Sequence, residues 1–229
     1  QDALWGRWSH SGRWFVYVKR DPNLWSVPVG GDFFKWETMI TGLYVKDMTT
    51  GQEWKIAPVA MHPCFSPDDS AIICSMKDSR DVWQVFSIPR EGGVPKQLTF
   101  YGPTDDGRNA RVTDISPDGE WLMFTGDFAS GTETKTGICV FKPATGKTIP
   151  LFPGAAGIST DGSFSPDGKK IVFSASSPWF DPADGTRQGD MYKVYIADFN
   201  PNIFEKPTAV SETAPAGFVF TGNYPNPFN

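Results

Sequence analysis

An all-β fold of repeated four-stranded antiparallel sheets is what this 229-residue sequence predicts, and three observations carry the prediction. A short phrase recurs as "FSPDD" from Phe65, "ISPDG" from Ile115 and "FSPDG" from Phe164, with its serines 50 and 49 residues apart. Each copy is followed by an alternating apolar segment such as Trp121, Met123 or Ile171, Phe173, the period of a half-buried strand. Finally, 14% aromatic residues, with 23 Gly and 20 Pro, suit short strands and tight turns and leave no room for a helix beyond a turn or two.

The recurring phrase is a turn. Proline presets φ at its second position and glycine accepts a left-handed backbone at its fourth, so Pro67, Pro117 and Pro166 are expected at the tips of β-hairpins. A degraded copy stands 57 residues before Ser66, where "WSHSGRWFVYV" keeps Ser9 and Gly12 but puts His10 in place of proline. Asp69 likewise replaces the turn glycine of the second copy. Later in each unit a further strand, turn and strand recur, from Leu43, Val82, Ile138 and Tyr192. Four such units, approximately 4–57, 58–100, 101–153 and 154–210, each give one four-stranded sheet. A single sheet cannot cover its own apolar faces, so the units must stack, and radial stacking protects their edges. The predicted architecture is a β-propeller over residues 1–210 with an extended tail at 211–229.

"FSPDG" with its apolar strand, followed by "VFSIPREGGVPKQLT" in the second unit, resembles the WD40-like repeat of the TolB-type β-propellers. The resemblance runs from Leu4 to Val210 and implies a propeller, usually of about six blades, with binding or gating roles. Four units are countable, so the ring is either a small closed one or part of a larger propeller, with a self-contained four-unit domain as the expectation. The ending "NYPNPFN" resembles the opening of the sorting domain carried by cargo of the type IX secretion system. That implies an exported protein, extracellular or on the outer cell surface, with the periplasm as the alternative.

Charge and cysteine content exclude several functions. A net charge of −5 offers no basic stripe for nucleic acid, and no apolar run approaches the roughly 20 residues of a membrane span. The chain is expected to be soluble, with any export signal already removed. Cys64, Cys74 and Cys139 lack CxxC spacing and read as buried apolar residues, although a Cys64–Cys74 bridge is conceivable. No nucleotide-binding loop is present, "GISTDG" around Ser159 lacks the final glycine of a nucleophile elbow, and no cofactor is expected.

Candidate binding residues lie mainly in insertions. Trp25, Phe33, Phe34 and Trp36 form an aromatic cluster that would stack on sugar rings, anchor a protein, or fold over its own blade. Asp181, Asp184 and Asp190 are weak calcium candidates whose spacing matches no complete calcium loop, so they read first as solvated turn carboxylates. His62 reads as a structural or channel-lining histidine, and Asp105 and Asp106 with Arg108 would join it in the channel or equally belong to a turn. In the tail, Phe218, Val219, Phe220, Tyr224 and Phe228 are expected to dock on a sheet edge by β-augmentation. Three functions follow: a non-catalytic protein-interaction or self-assembly module at the cell surface, a polysaccharide-binding module, and a lyase or hydrolase with its acid and base in the channel. The missing catalytic constellation favours the first.

Overall fold

The computed structural model describes residues 3–21, 40–101, 111–130, 133–151, 159–180, 187–200 and 220–223, and none of these is helical. They form four antiparallel sheets of four strands, each sheet laid down in chain order. Sheet 1 comprises β1 (Ala3–Trp8), β2 (Trp14–Arg20), β3 (Ile40–Asp47) and β4 (Glu53–Ala57). Sheet 2 comprises β5 (Met61–Phe65), β6 (Ala71–Lys77), β7 (Trp83–Pro89) and β8 (Lys96–Gln97). Sheet 3 runs through β9 (Arg111–Ile115), β10 (Leu122–Ser130), β11 (Glu133–Lys142) and β12 (Lys147–Pro150). Sheet 4 runs through β13 (Ser159–Phe164), β14 (Lys170–Phe180), β15 (Arg187–Asp198) and β16 (Phe220–Asn223). The outer strand of sheet 4 thus comes later than the repeat places it: Ala197 pairs with Phe220 and Tyr195 with Asn223.

The recurring turn sits between the first two strands of every sheet, and its hydrogen bonds explain its composition. In sheet 3 the Ser116 hydroxyl donates to Asp118 Oδ1 at 2.5 Å and accepts from Trp121 N at 2.9 Å. Asp118 also accepts from Glu120 N, and Gly119 N donates to Ser116 O at 2.8 Å. The same set recurs around Ser66/Asp68 and Ser165/Asp167. In sheet 1 Ser11 takes the aspartate's place, its hydroxyl 3.1 Å from that of Ser9. The fourth position is left-handed in all four turns: Gly12, Asp69, Gly119 and Gly168 have φ of 71°, 58°, 74° and 68°. Bonds from the Ser66 hydroxyl, the Ser70 N–H and the Ser70 hydroxyl hold the Asp68 carboxyl down at about 2.

The chain divides into two compact units, residues 1–104 with 108–112, and residues 105–107 with 113–229. In the first, Val16, Val18, Leu43 and Val45 of sheet 1 pack into one core with Ile72, Cys74, Phe86 and Ile88 of sheet 2. In the second, Met123, Ile138 and Val140 of sheet 3 pack with Ile171, Phe173 and Ala197 of sheet 4. Gly162 permits this approach, since a Cβ there would stand 2.3 Å from Met123 Sδ. The three cysteines are buried free thiols. Register forbids a Cys64–Cys74 bridge: Cys64 lies opposite Ile73, so Cys74, one residue on, points to the other face of the sheet.

Each unit also carries a junction between the turns of its two sheets. In the first, Asp69 is buried and its carboxylate accepts from His10 N at 2.7 Å and Ser11 N at 2.9 Å. Burial works to raise this carboxyl, but the bonds from Ser11 and His10 outweigh it and leave it below the ordinary range. Beside it, the Arg90 guanidinium lies 3.6 Å from the centre of the Trp14 ring and donates to Asp69 O at 2.9 Å. Trp54 Nε1 donates to Arg90 O at 2.8 Å. In the second unit, Phe199 meets Trp121 and Phe164 edge-on at 5.9 and 5.1 Å.

A buried polar node completes sheet 2. Gln84 Oε1 accepts from the Thr99 hydroxyl at 2.8 Å and from Tyr101 N at 3.0 Å, and Gln84 Nε2 donates to Tyr101 O at 2.7 Å. The Thr99 hydroxyl in turn accepts from Val85 N at 2.9 Å. Every polar atom of the buried amide is thereby occupied, which fixes the segment beyond the two-residue strand β8 against β7.

Candidate functional site

The residue four positions before the turn serine is left-handed in three first strands: Trp5, His62 and Asp161 have φ of 49°, 50° and 53°. None is glycine, so the conformation costs energy, and each sits where its strand's pairing register shifts in a bulge. A bulge re-aims the side chain it carries. In the first unit this brings the Trp5 and His62 rings together with centroids 4.4 Å apart.

His62 is half-buried, and its Nε2 is shielded from solvent with no hydrogen-bond partner. Burial lowers its pKa to about 3, and the charges of Arg111 and Arg7 push the same way. The imidazole is therefore neutral at physiological pH. A base so weakened does not abstract protons near neutrality. The ring packs with Trp5 and lies within the field of the Arg7 and Arg111 charges. Arg7 is exposed on β1 and Arg111 half-buried at the start of β9.

Of the residues singled out from sequence, His62 is the one whose side chain is described. Trp25, Phe33, Phe34, Trp36, Asp105, Asp106, Arg108, Asp181, Asp184, Phe218, Val219, Tyr224 and Phe228 lie outside the described residues, as do the side chains of Asp190 and Phe220. Ser159 opens strand β13 and stands at no strand-to-helix turn. Among the described residues no group of three or more His, Cys, Asp or Glu side chains converges as metal ligands would, and no helix is long and apolar enough to cross a membrane. Sequence reasoning missed Trp5, Arg7 and Arg111. Aligning the units on their turn serines exposes the signal, since Trp5, His62 and Asp161 share one position and are followed by Gly6, Pro63 and Gly162.

No family model matches the chain, and no curated protein matches it. Solved structures do. TolB from Acinetobacter baumannii superposes with a TM-score of 0.58 at 20% identity, over 86% of this chain and 41% of that one. A protein described as TolB from Agrobacterium tumefaciens gives 0.57 at 17% identity, over 86% of this chain and 58% of that one. The β-propeller domain of the Trilobed protease from Pyrococcus furiosus gives 0.50 at 17%, over 85% and 53%. At these identities the likeness is one of fold, that of TolB-like β-propellers, and each four-stranded antiparallel sheet is built like a propeller blade. The chain spans about two-fifths to three-fifths of the length of these structures.

Proposed function

We infer that the chain is a non-catalytic protein-interaction module, exported and acting at the cell surface. One observation carries the interaction reading: large apolar side chains stand in solvent on an otherwise well-buried scaffold, among them Trp8, Val94, Phe100 and Val194. Trp8 is the strongest of these, an exposed indole in ring contact with Phe15 of the kind enriched where proteins meet. The neutral, ring-packed state of His62 agrees with it, because the one described residue placed for acid–base work is unsuited to that work near neutral pH. Export rests on the tail sequence "NYPNPFN" alone.

Site-specific photo-cross-linking in the native host tests the reading. A cross-linker at position 8 or 94 should give defined protein adducts that mass spectrometry maps to that position, in cell-envelope or extracellular fractions. Adducts with glycan alone, or turnover of a substrate abolished by removing His62, would overturn it.

A further inference from the structure

Three strands of the first unit bring positive charge to one histidine, and strand register shows how. Arg7 on β1 lies opposite Val16, and directly opposed residues of an antiparallel pair project from the same face of their sheet. Val16 belongs to the core that sheet 1 shares with sheet 2, so the Arg7 side chain leaves β1 on the side that sheet 2 occupies. His62 stands on the first strand of sheet 2, with the Trp5 ring of β1 against its own. Arg111 is brought there by its neighbour: Val112 N donates to the buried Ser75 hydroxyl at 3.1 Å, and Ser75 pairs with Met61, the residue before His62. Both Arg111 and Val112 fall within the first unit. The like charges of Arg111 and Arg7 both act on His62, which agrees with this placement.

Two further observations point to a ligand. Nε2 of His62 is shielded from solvent and has no hydrogen-bond partner among the described residues, and a buried polar atom left unmet is costly. The backbone that carries the two rings is strained as well, since Trp5 and His62 are left-handed at φ of 49° and 50° and neither is glycine. Strain of this kind persists at ligand sites, where the surrounding structure holds it in place. In the tautomer protonated at Nε2, the neutral imidazole is a donor that adds no charge of its own. Two guanidinium forks and one N–H make a donor set for an oxyanion and offer nothing to a cation. A carboxylate fits that set: it is planar, with one oxygen for Nε2 and the other for a guanidinium, and its apolar substituent can lie along the Trp5 indole. A phosphate would turn one of its oxygens to the indole, where no donor meets it.

We propose that Arg7, His62 and Arg111 form a binding site for a small carboxylate, with Trp5 as its apolar wall. The site goes beyond the interaction-module reading, and it asks nothing of His62 except to donate a hydrogen bond.

Proton–nitrogen correlation spectra of the imidazole rings at neutral pH test the site, because His10 is the only other histidine and its bond to Asp69 makes it an internal reference. Acetate added at constant ionic strength should shift the His62 resonances along a saturating curve and leave those of His10 in place. Arg7→Gln and Arg111→Gln should each weaken acetate binding by about tenfold, the scale of one charge-assisted hydrogen bond. Arg7→Lys keeps the charge without the fork and should fall between wild type and Arg7→Gln. Arg7 is exposed, so its variants serve even if Arg111→Gln fails to fold, with circular dichroism confirming the fold of each. His62 resonances that follow chloride as they follow acetate overturn the site. Saturation by inorganic phosphate with none by acetate overturns the assignment to a carboxylate. Acetate binding undiminished in Arg7→Gln overturns the place of Arg7 in the site.

Discussion

The turn junction of the first unit and that of the second are built on one template with opposite chemistry. In the second, Pro117 faces Gly168 at van der Waals range: a Cβ on Gly168 would stand 3.5 Å from Pro117 Cδ. In the first, the equivalent residues are His10 and Asp69, and the contact is a hydrogen bond from His10 N to the Asp69 carboxylate. Proline has no N–H to give, so the two departures from the repeat phrase are one feature: histidine for proline supplies a donor, and aspartate for glycine supplies its acceptor. Aspartate is also among the few residues that tolerate the left-handed backbone the turn demands. The same substitution of chemistry recurs one residue further out. Arg90 N donates to Ser70 O and Phe199 N to Lys169 O, which makes Arg90 and Phe199 equivalent, and each covers the tryptophan of the preceding sheet. Neighbouring sheets of a propeller can thus be locked by a polar latch or an apolar one without altering the backbone that carries it.

The apolar latch is the more sensitive to truncation. Phe199 is buried against Trp121 and Phe164, so Phe199→Ala should cost about 3–5 kcal/mol, read as a lower urea midpoint with unchanged slope. A loss well below 1 kcal/mol would mean that the edge-on cluster does not lock the second unit.

Acid should separate the units next, because the buried His62 falls in the first. In the folded unit His62 takes a proton only near pH 3, whereas in the unfolded chain it does so near its ordinary 6.5. Between these values the unfolded state binds more protons, so the first unit loses stability progressively as pH falls through that window, by as much as a few kcal/mol. His62→Asn, which tolerates the left-handed backbone, should flatten the dependence. Hydrogen exchange should show the first unit opening before the second between pH 6 and 4 in the wild type; equal opening would contradict a neutral His62. As pH falls through and below the ordinary carboxylate value of 3.8, the depressed Asp68 and Asp69 carboxyls add a second loss, since they favour the fold only while ionised.

The coupling of His10 with Asp69 is measurable directly. Asp69→Gly leaves two backbone N–H groups without their acceptor and should cost about 1–3 kcal/mol. His10→Pro with Asp69→Gly rebuilds the second unit's solution, and the double variant should recover part of that loss. Strict additivity of the two substitutions in a double-mutant cycle would show that they are unrelated.

Much of this fold was legible in the sequence because its signals are local. In each full copy the turn serine bonds to the aspartate, to the fourth residue and to the residue leading into the next strand, all within five residues, so the phrase announced a hairpin wherever it stood. The meaning of its exceptions was not legible, since His10 and Asp69 meet across 59 residues and only the stacking of sheets brings them together. The left-handed Trp5, His62 and Asp161 escaped notice for another reason: none is glycine, and a bulge is set by tertiary packing more than by composition. His62 was picked out as an imidazole, but its burial and its two arginine neighbours belong to the fold. Strand β16 was displaced from its expected place because a strand needs an edge to pair with, and the repeat spacing alone does not say which later segment reaches the edge of β15.

The smallest expected effect is at Arg90, where the question is shape and not charge. Its guanidinium lies over the Trp14 ring at 3.6 Å from the centre, donates to Asp69 O and pairs with Glu91, so one planar group joins the ring of sheet 1 to the turn of sheet 2. Lysine keeps the positive charge but has no plane to lay on the indole and no fixed fork to reach the carbonyl at the same time. Arg90→Lys should therefore cost about 0.5–1 kcal/mol in a urea titration, the scale of a partly exposed cation–π contact. Because stacking and a bond to a neutral carbonyl carry the difference, the loss should persist in high salt, where a simple ion pair with Glu91 would be screened. A loss that vanishes with salt would assign the contact to charge alone and reduce the polar latch to the His10–Asp69 bonds.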